Sequence, residues 1–233
     1  MVCACSHGNK LKGEEKDMKS IKTIIAACIL ALALCASAQA ANFSFTGNFV
    51  YDDDVQTFGF SVGAPSDVTF RTYSYAGGTM ADGTIISAGG FDPILALFDS
   101  AGNFIGQNDD GSSSQVPADP TTGSYYDTYL EVSDLGVGSY TVAVMQYDNF
   151  ANGPNLSDGF QRDGQQNFTL DYAAGGTGYF WDVNADQRTS DWAFDILNVA
   201  EATQIPQVPV PAAAWLLGSG LLGLMSIRRK IRK

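Results

Sequence analysis

The residues with the most chemical potential in this sequence are aspartates placed where strands give way to loops. Asn108, Asp109, Asp110 and Gly111 put three oxygen-bearing side chains at one loop mouth. Asp52, Asp53, Asp92 and Asp148 stand at other strand ends. Carboxylates gathered in this way repel one another unless water or a cation screens them. The expected occupant is Ca²⁺, which takes oxygen from Asp, Asn and backbone carbonyls and tolerates irregular loops. Asp52, Asp53, Asp92, Asp109, Asp110 and Asp148 are therefore the candidate calcium ligands. No loop has EF-hand spacing: Asp52-Asp53-Asp54 lacks the glycine that follows at the required offset. The competing reading is that these aspartates serve turns through Asx hydrogen bonds and add solubility.

Other chemistry is poorly provided for. The four cysteines (Cys3, Cys5, Cys28, Cys35) and the single histidine, His7, all precede residue 41. Residues 41–207 contain no lysine, so a serine nucleophile there has no nitrogen base. Only Glu131 and Glu201 join the aspartates, and no Asp-Thr-Gly occurs. The expectation is a non-enzyme, with a hydrolase using paired aspartates as the remote alternative. Tyr73, Tyr75, Tyr125, Tyr126, Tyr129, Tyr147, Phe150, Trp181 and Trp192 leave a sugar-stacking surface open as a further reading. Their competing role is as core and strand-face residues.

The elements that must position these groups read as strands. Val55–Val62 places Phe58, Phe60 and Val62 on one face, and Asp67–Tyr73 alternates through Val68, Phe70 and Thr72. Further runs at 43–50, 94–98, 129–132, 140–147, 168–172 and 192–197 complete about eight short strands, an all-β pattern that predicts an antiparallel β-sandwich. The stretches 74–91 and 148–167 are expected to be long loops.

Charge divides the 233 residues into three parts. Residues 1–40 carry +2, residues 208–233 carry +5, and residues 41–207 carry −19 from twenty Asp, two Glu and three Arg. Such an acidic middle repels phosphate backbones and excludes nucleic acid as a partner. Its aromatic and aliphatic content argues against disorder. Its length suits one domain of roughly 150–170 residues.

The flanks read as addresses. Residues 1–17 have the look of an upstream extension before Met18. Residues 18–40 have a basic start at Lys19 and Lys22, an apolar run Ile24–Ala36, and Ala38 and Ala40 as the small residues of a signal-peptidase site. A lipoprotein signal ending at Cys35 is the alternative. The β-domain is expected over 41–200, followed by a linker over 201–207. Val208–Ile227 holds twenty residues without a charge, ahead of five basic residues that include Arg228 and Arg229. As a helix this run spans about 30 Å, one hydrocarbon core, with its basic end held in the cytoplasm.

Val208-Pro209-Val210-Pro211, the apolar run and the basic end together resemble the PEP-CTERM sorting signal of Gram-negative bacteria. Val210 stands where the family name implies Glu. That resemblance implies processing by an exosortase, an inner-membrane intermediate, and a final place at the cell surface or in an extracellular, biofilm-type matrix. Extracellular polysaccharide is the partner this setting implies.

A second resemblance covers residues 43–198. Asp92-Pro-Ile-Leu-Ala-Leu-Phe-Asp99, its glycine turn and the Asn108-Asp109-Asp110 loop are similar to the core of bacterial pre-peptidase C-terminal domains. Asp54–Phe60, Tyr126–Leu130 and Leu135–Val144 agree with the same pattern, and Gln146–Gly159 resembles a PEP-CTERM subfamily built on such a domain. The resemblance implies a jelly-roll-like sandwich that accompanies secreted hydrolases without being catalytic, and that in some relatives binds calcium.

Overall fold

The computed structural model describes residues 40–206, and these form two packed antiparallel sheets. Eleven strands occur among the described residues: β1 (Ala41–Asn48), β2 (Val55–Val62), β3 (Ser66–Thr72), β4 (Gly78–Thr79), β5 (Ile85–Ile86), β6 (Pro93–Asp99), β7 (Phe104–Asn108), β8 (Tyr129–Leu135), β9 (Gly138–Gln146), β10 (Asp191–Val199) and β11 (Glu201–Gln204). One sheet has the order β1-β10-β3-β8 and the other β11-β2-β9-β6-β7, with β4 and β5 pairing apart from both. The signal segment, including Ala38, and the tail with Val208, Pro209, Val210, Pro211, Arg228 and Arg229 lie outside the described residues. Among the described residues no helix is long and apolar enough to cross a membrane.

Period-two burial builds the space between the sheets. In β2, Gln56, Phe58, Phe60 and Val62 are buried while the intervening residues are not. Phe58, Phe60 and Val62 join Leu95, Leu97, Val142 and Val144 of their own sheet and meet Phe70 of β3 and Trp192, Phe194 and Ile196 of β10 across the interface. The Phe58 and Phe194 rings lie 4.6 Å apart, edge to face, the arrangement favoured by the aromatic quadrupole. Gly47 is required here, because a Cβ at that position would come within 2.3 Å of the Trp192 ring.

Strand β6 breaks the alternation, with Pro93 through Phe98 all buried. Its second face, Ile94, Ala96 and Phe98, packs with Ala143, Met145 and Phe160 under the chain that follows β9. A strand covered on both faces loses its polar side and reads as a continuous apolar run.

Three expectations change. The stretch 74–91 is not all loop, since β4 and β5 pair within it. Phe168–Tyr172 is a 3-10 turn rather than a strand. Phe168 and Thr169 are buried while Leu170 is 37% exposed, so its alternating residues do not share one covered face. Glu201–Gln204 is an edge strand rather than a linker. Ala200 donates its N–H to Ser61, turning the chain back onto the free edge of β2, where Glu201 pairs with Ser61 and Gln204 with Phe58.

The register makes the two ends of the sandwich unequal. At one end the connections are short: residues 63–65, 100–103, 136–137 and Ala200. At the other end residues 49–54, 73–92, 109–128 and 147–190 make the long crossings, although part of the last runs back to meet the 100–103 turn. The chain enters β1 at the short-turn end and leaves β11 at the long-loop end, where Ile205 donates its N–H to Thr57.

Candidate functional site

All six sequence-selected aspartates sit at the long-loop end, since they precede β2 and β6 or follow β7 and β9. They separate there into one group of three, Asp92, Asp109 and Asp110, and three others that stand apart from it.

Asp92, Asp109 and Asp110 form the coupled group. Asp92 enters β6 with 3% exposure, its Oδ1 is buried without a hydrogen-bond partner, and only its backbone carbonyl is engaged, by Tyr147 N–H at 2.8 Å. Burial drives its carboxyl well above the usual range, and the nearby charges of Asp110, Asp109, Asp182 and Asp127 push in the same direction. Asp110 is open to solvent on one side, yet desolvation and then the Asp109 charge push it up to about 6. Thr128 fixes the approach: its Oγ1 lies 2.5 Å from the Pro93 carbonyl and 2.7 Å from the Asp109 carbonyl. The Asn108 amide holds the loop by donating to the Asp110 and Tyr129 carbonyls at 2.7 and 2.9 Å. Gln146, the cross-strand partner of Pro93, adds a second buried and unpartnered oxygen, Oε1.

The other positions have their own partners. Asp52 is fully buried and accepts from Thr169 N–H at 3.0 Å and Thr169 Oγ1 at 2.5 Å, which ties the 3-10 turn to the β1–β2 connection. Desolvation nevertheless raises its carboxyl, with Oδ1 left unpartnered. Asp53 is raised by desolvation and then by the charge of Asp54. Asp148 pairs with Arg162 and accepts from Tyr172 OH at 3.2 Å. The six therefore do not converge on one point. Among the described residues, no three acidic, His or Cys side chains are gathered closely enough to enclose a metal as they stand. A hard cation nevertheless suits the oxygen-only donors around Asp92, and its buried unpartnered oxygen is the atom such an ion would satisfy.

A second acidic network beside this group was not marked by any motif in the sequence. Asp127 is buried and accepts from Thr72 Oγ1, Tyr75 N–H and Ala76 N–H at 2.9, 3.1 and 2.8 Å. Asp182 accepts from Tyr75 OH at 2.6 Å. Arg188 donates to Asp119 at 3.1 Å, to the Tyr75 carbonyl at 2.7 Å and to the Gly90 carbonyl at 3.0 Å. Its guanidinium also lies 3.7 Å from the Tyr75 ring centroid. Burial pushes the Asp119 carboxyl up, but bonds from Thr122, Arg188 and Thr121 outweigh it and the net shift is downward.

The aromatic candidates divide in the same manner. Tyr73, Tyr75 and Trp192 are buried, and Tyr147 and Phe150 pack on the outer cluster of the five-stranded sheet. Tyr126 lies edge-on to Tyr75, while Tyr125 is 39% exposed. Trp181 is half-buried with its indole N–H unpartnered.

The geometry defines an all-β antiparallel sandwich with an acidic loop end. No family model and no curated protein matches the chain. Among solved structures it is similar to the pre-peptidase C-terminal domain of collagenase from Bacillus anthracis, with 10% identity and a TM-score of 0.29. That similarity covers 70% of this chain and 90% of the other.

Proposed function

We propose that this chain is an exported, non-enzymatic protein of the cell surface or extracellular matrix, a jelly-roll-like sandwich whose acidic loop end is completed by Ca²⁺. The single observation that carries the calcium reading is the buried Asp92 Oδ1, which has no hydrogen-bond partner among the described residues. An uncompensated carboxylate in such a place costs several kcal/mol, on the order of the penalty for burying a single ion. A divalent cation held by Asp92 with Asp109 and Asp110 would offset that penalty and lock the β7–β8 loop against the start of β6. The ion's contribution is charge neutralisation and cross-linking of loops.

Export and sorting rest on the sequence: the segment ending at Ala38 and Ala40 for signal peptidase, and Val208–Pro211 with its basic end for an exosortase. The inner membrane is then a stopping point rather than the destination.

Thermal unfolding in EGTA and in Ca²⁺ tests the metal reading. The expected result is a higher melting temperature in Ca²⁺ that Asp92→Asn abolishes, and equal melting temperatures would refute it. Mass spectrometry of the mature C-terminus from cells tests the sorting reading. A terminus cut near Pro211 supports it, and an intact Lys233 in surface material overturns it.

A further inference from the structure

A cavity of about 610 Å³ lies where the free edge of the four-stranded sheet meets the segment that follows β5. It is remote in kind from the acidic loops, since its only charged lining residue is Asp191. Thr46 and Asn48 present hydroxyl and amide from β1, Ser87 adds a hydroxyl from the facing segment, and Ile86 and Ala88 supply an apolar wall. No lysine, arginine or histidine lines it.

The chemistry centres on one cross-strand pair. Asn48 and Asp191 are Cα partners in the β1–β10 ladder, so their side chains stand on the same face at about 5 Å between Cβ atoms. Asp191 Oδ2 accepts from Thr189 Oγ1 at 2.9 Å, which orients the carboxylate and leaves its other oxygen available. The Asn48 amide and the Ser87 hydroxyl bond no described residue. A carboxylate acceptor beside an amide that both donates and accepts is the complement of a vicinal diol, in which each hydroxyl donates once and accepts once. Both groups sit on paired strands rather than on loops, so their spacing is fixed before a ligand arrives.

We propose that this cavity binds a neutral pyranose through its vicinal hydroxyls, with Asn48 and Asp191 as the diol clamp and Ile86 and Ala88 against the sugar's C–H face. Because β1 is an edge strand, a longer glycan has room to continue past the sheet. Uronates and sugar phosphates are disfavoured, since they would meet Asp191 and a domain of −19 with no cation in the cavity. This site is independent of the Asp92 centre and of the route of export.

The test is saturation-transfer NMR on the full chain in a sugar-free zwitterionic detergent. The probes are methyl β-D-glucopyranoside, methyl β-D-galactopyranoside, methyl α-D-mannopyranoside and methyl β-D-glucuronide, each at about 10 mM, where weak sugar sites are populated. The expected result is transfer to at least one neutral pyranoside, unaffected by EGTA, and a markedly weaker signal for the glucuronide. Asn48→Ala should weaken binding about tenfold, the usual scale for losing one amide clamp, and Ser87→Tyr should abolish it by filling the cavity. Both residues are exposed, so neither variant should lower the melting temperature. The proposal is overturned if no neutral pyranoside receives saturation, if binding survives both variants, or if the glucuronide binds as well as the neutral sugars.

Discussion

Two groups of carboxylates lie side by side at the long-loop end, and they differ in the donors their own chain gives them. Asp127, Asp182 and Asp119 are supplied by their own chain with hydroxyl, backbone and guanidinium donors. Asp92, equally buried, has an Oδ1 that no donor among the described residues reaches. Burial alone therefore does not distinguish structural acids from candidate ligands; the donors around each one do. Arg188 closes the first group, and nothing among the described residues plays that part for the second.

Removing the closing cation should give the largest effect. Arg188→Ala leaves Asp119 buried without its partner, at side-chain exposures of 6% and 1% in the native pair, and should cost about 3–5 kcal/mol in urea unfolding. A loss below about 1 kcal/mol would mean the network is not a unit. The matching change in the other group should have the opposite sign. Asp92→Asn in EGTA at neutral pH should stabilise by about 1–3 kcal/mol, because an uncompensated charge is removed. The same variant should lose its response to Ca²⁺, and a destabilised variant would contradict this account.

Acidity provides a third handle, setting Asp92 and Asp110 against Asp119, whose carboxyl is held down by its donors. Asp92 and Asp110 have folded-state pKa values above their unfolded ones, so the folded metal-free protein keeps protons that the unfolded chain releases. The contribution of these two groups without metal should thus be greatest on the acid side and fall as pH rises from about 4 through 6, the value reached by Asp110, so Asp92→Asn should flatten the metal-free profile over that window. In saturating Ca²⁺ the trend should reverse over that window, because the ion requires ionised ligands. Parallel melting profiles with and without Ca²⁺ would remove the metal from the explanation. The smallest effect belongs to the half-exposed Arg162–Asp148 pair, where Asp148→Asn should cost under about 1 kcal/mol.

Much of this was legible in the sequence wherever local pattern and burial agree. The alternation of Phe58, Phe60 and Val62, and of Trp192, Phe194 and Ile196, marks β2 and β10 as single-faced strands. The Asp92–Gly111 segment is legible for a similar reason, since strand, glycine turn and strand follow directly and place Asp92 and Asp109 at one end. β11 was hidden because Glu201–Gln204 has no apolar alternation, and backbone pairing with β2 alone makes it a strand. Phe168–Tyr172 misled because its alternation is real, yet the segment pairs with no strand and closes instead as a 3-10 turn tied to Asp52 through Thr169. The Arg188 network was invisible, as it joins residues 69 to 113 positions apart. The single hint was the scarcity of arginine: three in so acidic a domain invite a search for buried partners.

The placement of entry and exit at opposite ends has a mechanical consequence. A pull on the chain flanking Ala41 and Ile205 would run along the strands, at right angles to the hydrogen bonds of the antiparallel ladders. β1 would slide against β10 and β11 against β2, with the bonds of each ladder loaded together rather than opened one by one. The shorter β11 ladder, backed by the Gln56 amide donating to the Ile205 carbonyl at 2.7 Å, is the link that should yield first. A tether attached at that side would transmit force through the sandwich in shear, the direction in which a sheet resists it best.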